Sequence, residues 1–303
     1  MTRFGLRRDA LTGARVNLPP LDEQRRIADF LDAETARLEA VKRERAHVAR
    51  LVSERVDATT LERVVPASVS WHSGDDLDDV SLVTSVEGWM PVPLKHTVEA
   101  TQSGIWGDEA EGVADDVCCV RVADFDYRQG RVGAVGTLRS IPEHGRASRL
   151  LASGDLLLEK SGGGEHQPVG RVVMWDRNLD RPAVCSNFIA RMRPHQGFDG
   201  AYLQFLHRAL YFCGITALSV KQTTGIQNLD SDHYLGRMVS IPYLSGQVRI
   251  REELEELVQS ERLIADQSSR QARLLDEHRD TVINAAVSGE LDPTSYRASA
   301  LTT

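Results

Sequence analysis

Apolar residues recur at three- and four-residue intervals in two long stretches of this chain. The first stretch carries Ile27, Leu31, Leu38, Val41, Val48 and Val52, with Leu51 and Val56 alongside and charged side chains between them. Such spacing keeps one apolar stripe on one helix face, the seam of a coiled coil, although Glu34 and Arg45 interrupt it. Pro19 and Pro20 block helix upstream and Asp22 suits a first turn, so a helix is predicted from near Leu21 to about Arg63, with Pro66 as its stop. Forty residues of helix would span roughly 60 Å. The second stretch carries Ile250, Leu254, Leu257, Ile264, Leu275, Val282 and Ile283. Ser245 is its predicted N-cap, and Gly289 followed by Pro293 its stop. A helix this long with one stripe needs a partner. The other stretch is the simplest one, paired antiparallel within the chain; a second protomer is the alternative.

Between these stretches the period changes. Val117–Val122, Arg131–Val135, Leu156–Leu158, Gly170–Trp175 and Phe188–Met192 are short β-rich runs punctuated by Gly and Pro, and Tyr202–Val220 reads as helix. The predicted class is α+β: a globular domain over 88–240, flanked by two long helices within 17–63 and 241–292 that form an antiparallel coiled coil. Residues 64–87, with Pro66, Gly74, several serines and the acidic run Asp75-Asp76-Leu77-Asp78-Asp79, read as a solvated linker. Residues 293–303 read as a tail.

The two helical stretches are copies of one another. Aligned without gaps at an offset of 223, Asn17–Asp32 and Ser240–Glu255 share six of sixteen positions: Pro19/Pro242, Leu21/Leu244, Gln24/Gln247, Arg26/Arg249, Ile27/Ile250 and Leu31/Leu254. The same offset matches Ala49-Arg50-Leu51 to Ala272-Arg273-Leu274, Glu54 to Glu277 and Asp57 to Asp280. Two like helices therefore bracket an unlike domain.

Charge follows this division. The net −8 splits into −3 for residues 1–87 (13 basic, 16 acidic), −1 for 88–240 (16 and 17) and −4 for 241–303 (7 and 11), so the helical copies hold most of the acid. Cys118, Cys119, Cys185 and Cys213 contain no Cys-x-x-Cys pair and read as buried reduced thiols of a cytoplasmic protein. The longest apolar run, near Ala209–Val220, is too short to span a bilayer, and no signal peptide or membrane association is expected.

Candidate chemistry is sparse. Ser161-Gly162-Gly163-Gly164 lacks the Gly-Lys-Ser/Thr of a Walker loop. Asp155 and the Glu159-Lys160 pair resemble a nuclease cluster, but adjacent strand side chains point to opposite faces. No histidine has ligand spacing to a carboxylate or cysteine, so neither a catalytic nor a metal site is expected. Three consecutive glycines fit a hairpin turn and equally a backbone that approaches a phosphate, with Lys160, His166 and Arg171 nearby. Six arginines lie between Arg121 and Arg149 against three acids, a local +3 that includes Arg128, Arg131, Arg139, Arg146 and Arg149, with His144 among them. The Lys221–Asn228 segment is rich in amides, notably Gln222, Gln227 and Asn228. Arginine reads guanine, and Gln or Asn reads adenine, through paired hydrogen bonds in the major groove. The expected DNA contacts are Arg128, Arg131, Arg146, Lys160, Ser161, Gly162, Gly163, Lys221, Gln222, Gln227 and Asn228. If Arg131 reads a guanine, its loss should cost about 1–3 kcal/mol and relax one position.

Taken in order, these features resemble the DNA-specificity subunits of type I restriction–modification systems, in a half-length form with one target-recognition domain. The Pro-x-Leu-x-x-Gln-x-x-Ile phrase that opens the helices of that family is matched at Pro19–Ile27 and, with Tyr243 and Gly246 departing from the usual choice, at Pro242–Ile250. Val287-Ser288-Gly289-Glu290-Leu291-Asp292 resembles the family's helix ending, and Gly88–Leu94 the opening of a recognition domain. Leu151–Ser161, Ser186-Asn187-Phe188 and Thr224–Leu229 resemble its later landmarks. A complete subunit of that family has two recognition domains; Met1–Val16 resembles only the tail of one, so the chain is expected to be a natural half-subunit or a truncated copy. The resemblance implies a non-catalytic ruler that reads half of a bipartite duplex target and docks a methyltransferase subunit and a restriction (translocase) subunit. S-adenosylmethionine, ATP and Mg would sit on those partners, and a homodimer would read a symmetric interrupted target. The alternatives are a coiled-coil interaction scaffold without DNA binding, and a hydrolase built on Ser161 or a cysteine.

Overall fold

The computed structural model describes residues 18–65, 82–83, 85–99, 101–164, 167–223 and 226–293. The expectations for Met1–Val16, for most of the 64–87 linker, for His166, for Thr224-Gly225 and for the tail beyond Pro293 lie outside the described residues. By its internal contacts the chain forms two compact units: residues up to Leu51 together with those from Leu263 onward, and Val52–Arg262.

Both long helices form, as helix α1 (Leu21–Val64) and, at the far end of the chain, a second helix over Leu244–Ser288. Their matching start phrases perform the same work. Pro20 O accepts from the amides of Glu23 and Gln24 (2.9 and 3.0 Å), as Tyr243 O does from Gly246 and Gln247 (2.8 and 3.0 Å). The repeated glutamine then reaches back five residues: Gln24 Nε2 donates to Pro19 O at 2.7 Å and Gln247 Nε2 to Pro242 O at 2.9 Å. The repeat is thus a helix-start device, in which the glutamine of the first turn is tied to the carbonyl of the proline that precedes the helix. Tyr243, rather than the predicted Ser245, occupies the cap, because its carbonyl takes the first helical bonds. Gly289, at φ +79°, ends the second helix as expected.

In the unit formed by the chain ends the two helices run antiparallel: Lys42 Nζ meets Asp276 Oδ1 at 2.8 Å, and Arg279 meets Glu39 at 3.6 Å. Leu38, Leu275, Val282 and Ala286 are its buried apolar residues, and Ile27, Leu31, Val41 and Ile264 are half-buried. Val48 departs from the predicted seam: it is 45% exposed and lies in a fully exposed stretch, 43–48, that Arg43, Glu44, Arg45 and His47 make too polar to bury.

The Val52–Arg262 unit holds the main core. Its strands, among the described residues, are β1 (Trp89–Pro93), β2 (Gln102–Ser103), β3 (Asp108–Glu109), β4 (Val117–Val120), β5 (Phe125–Asp126), β6 (Arg131–Val132), β7 (Leu138–Ser140), β8 (Leu156–Glu159), β9 (Val172–Met174), β10 (Ala183–Cys185), β11 (Ile189–Met192), β12 (Val220–Thr223), β13 (Ile226–Leu229) and β14 (Met238–Pro242). They build a six-stranded mixed sheet in the order β2-β11-β8-β9-β6-β5, a four-stranded sheet β10-β4-β7-β3, and the pairs β1-β14 and β12-β13. The runs predicted as strands are all present, shortened by one to three residues, except Leu156–Leu158, which gains Glu159. Leu156, Leu157 and Leu158 are fully buried because β8 sits inside the sheet.

The helices after α1 are the short α2 (Glu143–Arg146), the central α3 (Gly200–Phe212), the short α4 (Ser231–Leu235) and the long α5 already described (Leu244–Ser288). Helix α3 is buried almost all round, and Gln204 Nε2 donates to Val172 O of β9 at 3.2 Å. It stops eight residues short of the predicted end at Val220. Gly214 turns the chain with φ +83°, and a short 3-10 turn over Thr216–Ser219 leads into β12. Val56, Val64, Ile250, Leu254 and Val258 belong to the same core cluster as this helix, and Leu257 packs against it from a half-buried position, so the globular unit includes part of both long helices. Gln247, fully buried, ties α5 to α3 by accepting from the Asp199 amide at 2.8 Å, while Asp199 itself caps α3.

Candidate nucleic-acid interface

The glycine run follows directly on the buried strand β8. Gly164 and Gln167 exchange backbone hydrogen bonds of 3.0 and 3.1 Å, so the run does make a tight hairpin. A Cβ on Gly163 would lie 2.6 Å from Gln167 O and 2.7 Å from Val169 N, and only glycine fits there. Gly162 adopts φ +114° and faces open space. The run also pairs with β13: Ser161 bridges Asn228, Gly162 N donates to Gln227 O at 3.2 Å, and Leu229 N donates to Lys160 O at 2.9 Å. Two sequence candidates 67 residues apart, Ser161 and Asn228, therefore meet, with Ser161 Oγ donating to Asn228 Oδ1 at 2.5 Å.

This hairpin forms one wall of a cleft of about 570 Å3, within the size range of small-molecule and base-binding pockets. The opposite walls come from the Arg121–Ala123 turn after β4, from Trp106, and from the Ser186-Asn187-Phe188 turn between β10 and β11. Its charged lining is neutralised from within. Glu159, 1% exposed, receives two hydrogen bonds from Arg171 at 2.9 and 3.2 Å. The Arg171 guanidinium in turn lies 3.6 Å from the centroid of the Tyr127 ring. Burial pushes the Tyr127 phenol well above its usual range, with the Glu159 carboxylate adding to the effect. Arg121 is held by Asp124 at 3.0 Å.

Three of the predicted DNA-contact residues, Ser161, Gly162 and Gly163, line the cleft, and three more, Lys160, Gln227 and Asn228, lie behind them where the run pairs with β13. Lys160 Nζ donates to Ser103 Oγ at 2.8 Å and meets no carboxylate among the described residues. Gln227 is 8% exposed, and its side-chain oxygen accepts from Val169 N at 3.3 Å, so it holds the wall rather than facing solvent. Gln222 is exposed, opposite Gln227 in the hairpin, and Lys221 meets Asp230 at 2.6 Å. Three arginines lie elsewhere. Arg128 faces the buried Glu261 at 3.5 Å; Arg131 bridges Asp176 (2.6 Å) and Glu255 (3.2 Å); Arg146 is bound to Asp115 at 2.5 Å. Arg128 and Arg131 therefore link the sheet to α5. Their local excess of positive charge in the sequence is met by carboxylates far away in the chain.

The carboxylates, hydroxyl and thiols that could suggest catalysis are each occupied or buried. Asp155 carries hydrogen bonds from Arg193 (2.7 and 2.8 Å), Glu159 from Arg171, and the Ser161 hydroxyl is bonded to an amide oxygen rather than to a base. Burial pushes the thiol of Cys119 up to about 11 and those of Cys185 and Cys213 to about 12 and 11, which disfavours a thiolate nucleophile. No group of three or more His, Cys, Asp or Glu side chains able to hold a metal occurs among the described residues, nor does a helix long and apolar enough to cross a membrane. The sequence pattern passed over Trp106 as a cleft residue and gave Asn187 and Phe188 only as part of a family landmark, because an isolated aromatic or amide does not show which cavity it will line until the chain folds.

A chain from a solved structure of the type I restriction–modification system, in its complex assembly and conformational transition, matches this one with a TM-score of 0.62 at 20% identity. The match covers 91% of this chain and 62% of that one. The fold is that of a type I restriction–modification chain. The present chain thus spans less than two thirds of the length of its restriction–modification counterpart. Crystal structures of the HsdS subunit from Thermoanaerobacter tengcongensis and of the type I S subunit from M. genitalium also match, at 19% and 13% identity and TM-scores of 0.46 and 0.42. They cover 91% and 88% of this chain, and 60% and 61% of theirs. No family model matches the sequence, and no curated protein matches it significantly.

Proposed function

We propose that this protein is a specificity subunit of a type I restriction–modification system, which reads one half of a bipartite duplex target and docks the modification and restriction subunits. The observation that carries the reading is the pair of like helices, with the same proline–glutamine start, set on either side of a β domain in a restriction–modification fold. Two like helices give partner proteins two like docking surfaces. The chemistry is then left to those partners, with S-adenosylmethionine on the methyltransferase subunit and ATP and Mg on the translocating nuclease. The acidic balance of the helical segments suits protein partners better than phosphate. Two copies of this recognition domain, paired through a homodimer, read a symmetric interrupted site in the bacterial cytoplasm.

The test is co-expression with a type I methyltransferase subunit, followed by selection of bound duplexes from a randomised pool. Co-purification and enrichment of an interrupted, twofold-symmetric sequence is the expected result. A chain that binds the methyltransferase but selects no duplex would instead be an interaction scaffold, and a contiguous unsplit consensus would overturn the bipartite reading.

A further inference from the structure

The six arginines between Arg121 and Arg149 give that stretch its local excess of positive charge, and folding leaves them unequal. Five are tied to groups elsewhere in the fold. Arg128 faces Glu261, Arg131 bridges Asp176 and Glu255, and Arg146 holds Asp115. Arg139 donates to the carbonyls of Trp106 and Gly107 (3.1 and 3.0 Å), and Arg149 to those of Ser103 and Gly145 (3.1 and 2.7 Å). Arg121 alone of the six lines the cleft beside the glycine hairpin, with its side chain 45% exposed.

The partner of Arg121 is local. Across the 3-10 turn Val122–Asp124, Arg121 N donates to Asp124 Oδ2 at 2.8 Å and Arg121 Nη2 to Asp124 Oδ1 at 3.0 Å. Asp124 is buried and anchored by its main chain, which donates to Arg121 O (2.9 Å) and accepts from Gly133 N (2.7 Å). One carboxylate therefore fixes Arg121 at its backbone and at its guanidinium. That contact uses one of five guanidinium N–H donors, and the others meet no acceptor among the described residues. A side chain held in advance loses little rotamer freedom on binding. A carboxylate this close also weakens the pull on a phosphate, yet leaves the planar fork open to a pair of neutral acceptors. Guanine presents such a pair, O6 and N7, in the major groove, whereas adenine and cytosine present an amino donor there.

Trp106 lines the same cleft and is held rigidly. The Arg139 guanidinium lies 4.5 Å from its ring centroid. Gly107, at φ +67°, packs so closely that a Cβ would stand 2.4 Å from Ile141 Cγ1. Arg121 and Trp106 both lie outside the segments that resemble landmarks shared by the family, as a residue that sets one chain's target must.

We propose that Arg121, held by Asp124, reads a guanine in the target of this chain, and that Arg128, Arg131 and Arg146 read no base. The inference rests on the specificity-subunit reading. The free N–H groups of the Arg121 fork bond O6 and N7 of the guanine edge, Asp124 positions the fork, and Trp106 is a fixed wall of the cleft where that edge is presented.

The experiment compares consensus sequences selected from randomised duplexes by the full chain in complex with its methyltransferase subunit, for the natural protein and for Arg121→Ala, Arg121→Lys and Arg128→Ala. Arg121→Ala is expected to erase one guanine position from the consensus while keeping the rest, and to weaken binding to the parent site about 10- to 100-fold. Arg121→Lys keeps the charge without the fork, and should lose the same position. Replacing that guanine with 7-deazaguanine, which lacks the N7 acceptor, should weaken the natural complex and leave Arg121→Ala indifferent. This arm uses the natural protein, so it stands even if a variant folds poorly. Arg128→Ala should keep every position. An unchanged consensus for Arg121→Ala, or an equal loss at all positions, overturns the proposal. So does full retention of consensus and affinity by Arg121→Lys, which would mark a phosphate contact. If the natural complex selects no consensus, the specificity-subunit reading fails first, so the two failures are distinct.

Discussion

At the residue scale, burial decides what each ionisable group can do. His207 is fully buried in α3, with Nδ1 2.7 Å from the Tyr234 hydroxyl, and desolvation lowers its pKa to about 4 from the usual 6.5. A histidine whose folded pKa lies below its unfolded one gives its full stability above pH 6.5 and withdraws it as pH falls toward 4. The withdrawal amounts to about 3 kcal/mol. The denaturant midpoint should therefore fall between pH 6.5 and 4.5, and a His207→Asn variant should show a flatter profile over that window; parallel profiles would place the acid sensitivity elsewhere. Asp57 works in the opposite sense. Burial raises its pKa although Arg208 approaches to 2.6 Å, so acidification relieves a cost there. Arg131, expected from the sequence to read a guanine, is bound between Asp176 and Glu255. Arg131→Ala should lower stability by about 1 kcal/mol or less, since the ion pairs are a third exposed, and should leave the selected DNA consensus intact.

At the scale of elements, one sequence phrase has two different energetic values. Gln24 and Gln247 make the same hydrogen bond to a proline carbonyl, but Gln247 is fully buried and also receives the Asp199 amide. Gln247→Ala should cost about 1–3 kcal/mol, because it strands buried polar groups, whereas Gln24→Ala should cost well under 1 kcal/mol at a hydrated helix end. Equal effects in chemical denaturation would show that the start device, not its burial, sets the energy. In the glycine hairpin, Gly163→Ala should lower the Tm and disturb duplex binding, since its Cβ would strike backbone atoms. Gly164→Ala, with open space around it, should be tolerated. A run of three glycines is therefore one steric requirement, one left-handed residue at Gly162, and one residue free to vary.

At the scale of the whole molecule, the buried clusters lie within Val52–Arg262, and the helix pair of the other unit keeps only a thin seam around Leu38, Leu275, Val282 and Ala286. Amide hydrogen exchange should accordingly be fastest in the helix pair, above all near the exposed 43–48 stretch, and slowest in β8 and α3. If the chain reads DNA through phosphates as well as bases, affinity should fall steeply between 50 and 200 mM salt, with a log–log slope of about −0.9 per phosphate contacted. A flat salt profile would favour a protein-only scaffold.

The sequence alone determined the two long helices, their shared start phrase and the α+β class, because helical periodicity and proline stops are local signals that survive any packing. It also marked the glycine run, the amides of the Lys221–Asn228 segment and the Arg121–Arg149 cluster as separate candidates for DNA contact. Only the tertiary structure decided which polar residues stay open. Arg128, Arg131 and Arg146 look free along the chain, yet Glu261, Glu255, Asp176 and Asp115 meet them after folding. Ser186, Asn187 and Phe188 are legible along the chain only as a family landmark, and folding puts them on the wall of a cleft. Hydrophobic period is a property of neighbours in sequence, whereas the partner of a charge and the walls of a cavity come from segments far apart, so they are fixed when the sheets close.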